Sequence, residues 1–201
     1  MIRRAALLAL LLAWMAEPSG DARLRLLPRV NSGDIVLRRG RTWVSEAVMA
    51  WDLESRYSYA GIVIHRGGLS FVVHSEPPGN GNPAGGVQET PLEAFASGRE
   101  AAEIKVLRVR PGLEKEAQRA AEAARQFLGR PFDGALDLES DSSLYCTELV
   151  WRSYRAAGVD LLRGRFRRMN TLFADREVIR VSDLEASPDL EAVWPYGEKK
   201  E

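Results

Sequence analysis

Two β-rich runs on either side of a pair of glycines restrict the fold of this chain more than any other feature. The runs cover residues 59–65 and 69–75, and Arg66-Gly67-Gly68 separates them. Adjacent glycines supply the positive φ angles that tight hairpin turns need, so the two runs are expected to pair as antiparallel strands. The fold must therefore contain an antiparallel sheet that includes this hairpin.

The register of the hairpin divides its side chains between two faces. With the turn centred on the two glycines, Ile62 lies opposite Val73 on an apolar face. Tyr59, Gly61 and His74 share the other face, where His74 lies opposite Gly61 and diagonal to Tyr59. We therefore expect the side chains of Tyr59 and His74 to be close enough to touch.

Helical patterns occur on both sides of the hairpin. Thr42 is a candidate N-cap for an apolar pattern that ends near Leu53, and an Ala-rich pattern covers 113–128. A third helix is expected over 144–157, where Gly158 ends it. These elements predict an α+β fold with a short antiparallel sheet packed against the last of these helices. We also expect three tryptophans in the core: Trp43, Trp51 and Trp151.

The N-terminus has the order of features found in a secretory signal peptide. A start with two arginines precedes the apolar run 5–16, and small residues follow as far as Ala22. The run is too short to span a bilayer as a helix. We expect 1–22 to be a signal peptide and 23–201 to be a single exported domain, periplasmic or secreted, without a stable membrane span. A short membrane anchor or a buried helix is the alternative.

Charge and residue counts limit the partners and cofactors of the chain. Its 28 basic and 28 acidic residues give a formal net charge of zero, which provides no reason to expect a nucleic acid partner. Cys146 is the single cysteine, and the two histidines, His65 and His74, lack the close spacing of a zinc site. We therefore predict no metal and no cofactor, and the oligomeric state stays open.

Cys146 is the first candidate for a catalytic role. A lone cysteine cannot form an intramolecular disulfide, and in an exported protein a free thiol is an oxidation liability unless it is used. We expect it two or three residues into its helix, behind Asp141-Ser142-Ser143 as capping residues, where the helix dipole favours a thiolate. A role as a small core residue is equally open.

A thiol hydrolase also needs a base, and only two histidines are available. His74 is the better candidate because it shares its strand face with Gly61, which leaves room above it. His65 lies near the turn, about 13 Å along the strand from Gly61 at roughly 3.3 Å per residue. The alternative for His74 is a structural role with satisfied hydrogen bonds.

Several segments of the chain resemble one known family. The most specific is Tyr-Cys-Thr-Glu-Leu-Val at 145–150, and the others are 33–36, 57–63, 72–75, 181–184 and 187–190. Together they look like the circularly permuted branch of the NlpC-like, papain-like cysteine amidases, in which the strand with the histidine precedes the cysteine helix. The resemblance spans nearly all of the chain after the predicted signal peptide.

The resemblance implies a permuted papain-like hydrolase in which Cys146 attacks a carbonyl and forms an acyl-enzyme. The family's usual Ser-His-Val-Gly strand supplies the base at the position held here by Tyr59. The residue on the neighbouring strand, often Glu and in some members His, is His74 here. His74 could therefore supply the imidazole from the adjacent strand, while Tyr59 orients it or donates a hydrogen bond to an oxyanion.

The resemblance also implies three classes of function. Cell-wall peptide amides are the first expected substrates of such a cysteine amidase. Relatives that resemble lecithin retinol acyltransferase act on lipid esters, so hydrolysis or transfer of an acyl group from a lipid is the second class. The third is a catalytically weakened module that binds a ligand, because Tyr59 replaces the usual histidine. The expected partners are thus a peptide, a cell-wall fragment or an acyl-lipid substrate.

Overall fold

A computed structural model describes residues 29–79, 82–170 and 175–196. The predicted signal peptide at 1–22 lies outside these ranges. In chain order the elements are β1 (Ile35–Gly40), α1 (Trp43–Trp51), β2 (Tyr59–Arg66), β3 (Leu69–Glu76), β4 (Gly86–Pro91), α2 (Leu92–Phe95), β5 (Ala101–Val109), α3 (Glu114–Arg125), α4 (Cys146–Ala156), β6 (Arg167–Asn170), β7 (Asp175–Val178), α5 (Val181–Glu185) and β8 (Leu190–Tyr196).

Six of the strands form one antiparallel sheet in the order β4-β3-β2-β1-β5-β8, and β6 pairs with β7 in a separate hairpin. The predicted α+β class is confirmed. Within the described ranges, no helix combines the length and the hydropathy needed to cross a membrane.

The predicted hairpin is present with the expected register. Ile62 pairs with Val73, and β2 and β3 meet at a turn in which Gly67 has φ 58° and Gly68 has φ 78°. Gly61 leaves little spare space on the other face. A Cβ at that position would lie 2.3 Å from Cγ1 of Val72 and 3.2 Å from Cβ of His74. The side chain of His74 therefore packs closely over β2.

The sheet separates two apolar clusters. On one face, Ile62 and Val73 pack with residues of α3 and α4, including Leu149. On the other face, Val63 and Val72 pack with Phe95 of α2, and Tyr59 lies against this second cluster. Tyr59 and His74 thus lie on the face of the sheet opposite to the face against which α4 packs.

The expectation that all three tryptophans lie in the core is wrong for two of them. Trp43 is 82% exposed and Trp51 is 41% exposed, whereas Trp151 is buried. Thr42 caps α1 as expected, since Ser45 N donates to Thr42 Oγ1 at 3.3 Å. The helix lies at the rim of a cleft, however, and Ser45 is its one buried residue within the described part of the chain.

Candidate active site

Cys146 is the first residue of α4, earlier in the helix than its sequence suggested. The N-cap is Tyr145, so the expected capping role of 141–143 is wrong. The backbone N–H of Tyr145 donates to Glu148 Oε2 at 3.4 Å, which closes the first turn through a side chain from within the helix. This arrangement places the half-buried thiol at the positive end of the helix dipole.

The residues on either side of Cys146 are anchored to one point of the chain. Ile179 N donates to Tyr145 Oη at 2.9 Å, and Thr147 Oγ1 donates to the carbonyl oxygen of Ile179 at 2.7 Å. From the sheet side, Ser75 Oγ donates to the carbonyl oxygen of Leu144 at 2.5 Å. These bonds fix the N-terminus of α4 between the end of β3 and the segment before α5.

Opposing influences act on the pKa of the Cys146 thiol. Burial is the largest, and it raises the pKa above the usual value of 9.0. Hydrogen bonds from the backbone N–H groups of Ala60 and Thr147 lower the pKa, and so does the positive charge of Arg38. Burial prevails, so the thiol is mostly protonated at neutral pH and must lose its proton before it can attack a carbonyl.

A cleft of about 360 Å³ opens onto the thiol. Cys146 and Tyr59 line its floor together with the ion pair of buried Arg38 and partly buried Glu76. The loop after β3, a Pro- and Gly-rich segment, contributes 77–79 to the wall. Residues of α1 form the rim, and they are Trp43, Val44, Val48 and Trp51.

Tyr59 occupies the position at which the family resemblance leads us to expect the base. Its hydroxyl donates a short hydrogen bond to the carbonyl oxygen of Ser75. Burial raises the pKa of Tyr59 well above 10, and the negative charges of Glu76 and of an ionised Cys146 raise it further. The phenol therefore stays protonated, so it can donate a hydrogen bond but cannot act as a base at neutral pH.

His74 is 1% exposed and lies within a set of contacts on the face of α2. Its Nε2 is 2.9 Å from Thr90 Oγ1, its Nδ1 is 3.5 Å from Tyr59 Oη, and its ring centroid is 5.0 Å from that of Phe95. Burial, and secondarily the charge of Arg38, lower the pKa of His74 to about 3. The imidazole is therefore neutral over the physiological pH range.

The structure brings together some of the predicted site residues and keeps others apart. Tyr59 lines the cleft beside Cys146 and contacts His74, but among the described residues no hydrogen bond joins His74 to the thiol. The role of His74 as the base stays a prediction. His65 is exposed, with Nε2 2.9 Å from the carbonyl oxygen of Val30 and Nδ1 3.1 Å from Ser70 Oγ, outside the cleft.

Sequence reasoning missed the ion pair in the cleft. Arg38 Nη2 lies 2.6 Å from Glu76 Oε1, and the Arg38 side chain is 8% exposed. The guanidinium carbon is 4.6 Å from the ring centroid of Tyr59 and 4.4 Å from that of Phe95. Alternation along the strands could have revealed the pair, because Glu76 follows His74 by two residues and so shares its face.

A second feature that sequence reasoning missed is the ion pair of Glu148 and Arg152 in the cysteine helix. Glu148 is fully buried, and its Oε1 accepts a hydrogen bond from Arg152 Nε at 2.7 Å. Burial raises the pKa of Glu148 to about 7, against the lowering effect of Arg152. Arg152 also bonds the carbonyl oxygens of Leu138 and Ser140 at 2.8 and 2.9 Å, which ties the loop before α4 to the helix.

With the fold and the thiol site in view, comparison with known proteins assigns the class and then the family. A crystal structure described as that of the metalloprotein yiiX from Escherichia coli O157:H7 superimposes with a TM-score of 0.69 at 22% identity, covering 85% of this chain and 100% of that one. This likeness shows that the two chains share one fold. The profile described as "Permuted papain-like amidase enzyme, YaeF/YiiX, C92 family" matches residues 29–193. The chain therefore belongs to that family.

A relative from Escherichia coli K12, the uncharacterized protein YiiX, is 31% identical over 128 residues. The match covers 63% of this chain and 58% of that relative's length. The word metalloprotein describes the relative of known structure. Within the described ranges of this chain, no group of three or more His, Cys, Asp or Glu residues is placed to hold a metal ion, so no chemical step is assigned to one.

Proposed function

We propose that this protein is a cysteine hydrolase that cleaves an amide or ester bond with Cys146 as its nucleophile. The observation that carries the proposal is the position of the thiol. Cys146 begins α4 and lies in the cleft, where the backbone N–H groups of Ala60 and Thr147 favour its ionised form. A helix N-terminus with converging N–H groups is the setting in which thiolates act as nucleophiles.

The proposed reaction has two covalent steps. The thiol loses its proton to solvent water, and the thiolate attacks the carbonyl carbon to give a tetrahedral oxyanion. Backbone N–H groups near Cys146 are the donors available to that oxyanion, because the hydroxyl of Tyr59 already donates to the carbonyl oxygen of Ser75. The bond to the leaving group then breaks, the leaving amine or alcohol takes up a proton from solvent water, and a thioester forms on Cys146. Water attacks the thioester, which releases the acid and restores the thiol.

Activation of the thiol is the slow part of this scheme. Tyr59 stands where the family carries its base, and a phenol with a raised pKa cannot accept the thiol proton at neutral pH. His74 is neutral, and it is hydrogen-bonded to Thr90. We therefore propose that His74 acts through Tyr59, whose hydroxyl it helps to hold, and that wild-type turnover is slow for a cysteine hydrolase.

A second candidate function is a ligand-binding module with little or no catalytic activity. The observation that favours it is the same Tyr59, together with the raised pKa of Cys146. In this alternative the cleft retains its ligand while the thiol is not activated. Binding without turnover would then be the measurable property of the chain.

The rim of the cleft favours a substrate that carries an apolar group. Trp43 is 82% exposed, Trp51 is 41% exposed, and both lie at the cleft with Val44 and Val48. Apolar side chains clustered at the mouth of a cleft are typical of binding sites for apolar ligands. We propose acyl-bearing esters or amides as the substrate class, ahead of purely polar cell-wall peptides.

One experiment separates the two candidate functions. Wild type and Cys146→Ala are assayed on peptidoglycan fragments, phospholipids and activated acyl esters, and wild type is also treated with iodoacetamide. Hydrolysis that depends on Cys146, with alkylation of that thiol, supports the hydrolase. Ligand binding with equal, background turnover in both proteins supports the binding module and overturns the hydrolase.

Export of the protein remains part of the proposal. Its support is the order of charge, apolar run and small residues in 1–22. The described residues contain no helix suited to cross a bilayer. A periplasmic or secreted location would give the cleft access to cell-wall fragments and to lipids at the membrane surface.

A further inference from the structure

We infer that the guanidinium of Arg38 is the positive charge that stabilises the Cys146 thiolate. It takes the electrostatic role that the protonated histidine has in cysteine hydrolases with a histidine base. The inference rests on the proposed function, because it concerns the activation of the same thiol. Its basis is the position of Arg38 in the cleft and the way in which the fold immobilises the guanidinium.

The guanidinium of Arg38 is fixed by contacts on several sides. Arg38 pairs with Tyr59 across β1 and β2, and its side chain lies between the rings of Tyr59 and Phe95, 4.6 and 4.4 Å from their centroids. Nη1 donates to the carbonyl oxygen of Phe95 at 3.3 Å, and Nη2 bonds Glu76 at 2.6 Å. The charge therefore cannot swing away into solvent.

Arg38 also retains a donor that the protein does not satisfy. Its Nε is buried and has no hydrogen-bond partner among the described residues. Arg38 is 6% exposed, and a buried unpartnered donor is unfavourable unless the surroundings supply negative charge. A thiolate on the floor of the same cleft would supply such a charge.

The other cations of the cleft are less suited to stabilise the thiolate. Arg41 is exposed, so water and salt screen its charge. Arg180 is paired with Asp52 at 3.6 Å and with Glu54 at 3.1 Å, and it is not among the charges that act on the pKa of Cys146, whereas Arg38 is. Buried charges interact more strongly than exposed ones because the surrounding dielectric constant is lower. Arg38 is therefore the cation at the cleft that can act on the thiol with least screening.

The remaining groups that face the thiol do not replace Arg38. Tyr59 and Tyr145 both interact with Cys146, and burial raises the pKa of each, so that both stay neutral. Glu76 opposes the effect because it neutralises part of the Arg38 charge, and Glu100 lies 3.9 Å from Arg38 Nη1. This opposition gives the inference a second, independent test.

The test is the rate of alkylation of Cys146 by iodoacetamide as a function of pH, in the full-length chain. Arg38→Gln removes the cation and should raise the thiol pKa by about one pH unit. Alkylation should then be ~10-fold slower at pH values well below the wild-type pKa. Arg38→Lys should retain part of the effect. Arg108→Gln is the control, because Arg108 pairs with buried Asp34 at 2.7 Å and does not line the cleft.

Glu76→Gln should shift the thiol pKa in the opposite direction, so the inference can still be tested if the Arg38 variant does not fold. Removal of the carboxylate leaves Arg38 with a larger net effect, so the thiol pKa should fall and alkylation should speed up several-fold. Circular dichroism and thermal unfolding establish that each variant is folded. A pH profile that is the same in wild type, Arg38→Gln and Glu76→Gln would overturn the inference, as would a shift of the same size in Arg108→Gln.

The alkylation assay does not depend on turnover, so the two proposals can fail separately. If alkylation depends on Arg38 while wild type and Cys146→Ala hydrolyse no substrate, the hydrolase proposal fails and the inference stands. If hydrolysis depends on Cys146 while the pH profile of alkylation is unchanged in Arg38→Gln, the inference fails and the hydrolase proposal stands.

Discussion

Tyr59 and His74 lie side by side on neighbouring strands, with Tyr59 Oη 3.5 Å from His74 Nδ1 and ring centroids 5.8 Å apart. The resemblance to the family places its base at the position of Tyr59. The side chain at the position of His74 would then contact that base, as the orienting residue of a triad does. On this reading, His74 is the orienting neighbour and a phenol stands in place of the base.

A histidine at the position of Tyr59 should therefore increase activity. Tyr59→His places an imidazole beside Cys146 with His74 as its neighbour, and a positioned base contributes on the order of 10²–10⁴ in rate. We expect an increase of at least ~10² in the hydrolysis of an activated ester. The measurement is the initial rate as a function of pH. With the new imidazole as base, the rate should fall as the pH drops below the pKa of that imidazole.

Tyr59→Phe and His74→Ala are the controls for this gain. Tyr59→Phe removes one hydroxyl donor and should reduce the rate far less than a lost base would. If His74 is itself the base, as the sequence predicts, His74→Ala should lower the wild-type rate by about 10²–10⁴. That loss, combined with no gain in Tyr59→His, would contradict a role for His74 through Tyr59.

The buried imidazole of His74 predicts the pH dependence of stability. Its pKa is about 3 in the folded protein and near 6.5 in the unfolded chain, so the unfolded state binds the proton first as the pH falls. The His74 contribution is complete above pH ~6.5 and is lost progressively toward pH ~3. Between about pH 7 and pH 4 the loss should be on the order of 3 kcal/mol.

Urea denaturation of wild type and His74→Gln at these two pH values measures that contribution. Glutamine keeps a polar side chain of similar reach but does not titrate, so the free energy of unfolding of His74→Gln should fall less with acid. Carboxylates affect both proteins equally and cancel in the comparison. Parallel pH profiles for the two proteins would show that His74 is not held neutral by burial.

The exposed tryptophan at the cleft rim predicts selectivity for acyl chain length. Trp43→Ser should lower the rate on long-chain acyl esters several-fold and leave the rate on acetyl esters nearly unchanged, because a short chain does not reach α1. Leu69→Ser is the matched control, since Leu69 is 64% exposed at the hairpin turn and does not line the cleft. An equal loss on both esters would refute an acyl-binding rim.

Removal of the N-terminal segment is the prediction that concerns cellular location. The protein expressed in its native host should be recovered from the periplasm or the medium, with a mature N-terminus between Ala16 and residue 23. Fractionation and N-terminal sequencing measure both properties. A full-length product in the cytoplasm that still begins at Met1 would disprove export.

Local rules were sufficient to predict the hairpin and its neighbours. The two glycines and the alternation on either side determine the pairing of Ile62 with Val73, and that register places His74 next to Tyr59. The helix that carries Cys146 was predicted from its own apolar pattern. Turn chemistry and side-chain periodicity act within a few residues, so one sequence contains enough information to define them.

Other features depend on elements far apart in the chain. Helical spacing shows that α1 has an apolar face, but it does not show that Trp43 lies at a cleft instead of in the core. The ion pair of Arg38 and Glu76 joins β1 to β3, and the burial of Arg38 follows from the packing of Phe95 of α2 against its guanidinium. The contacts of His74 with Thr90 and Phe95 likewise follow from tertiary packing.

The most direct test of the central claim is to trap the acyl-enzyme. Wild type and Cys146→Ala are mixed with p-nitrophenyl acetate, quenched in acid, and examined by intact-protein mass spectrometry with peptide mapping. The account predicts one acetyl group on wild type, located on Cys146 and lost again with time, and none at that position in Cys146→Ala. Ester turnover that continues in Cys146→Ala, or in wild type without an acetyl group on Cys146, would contradict it.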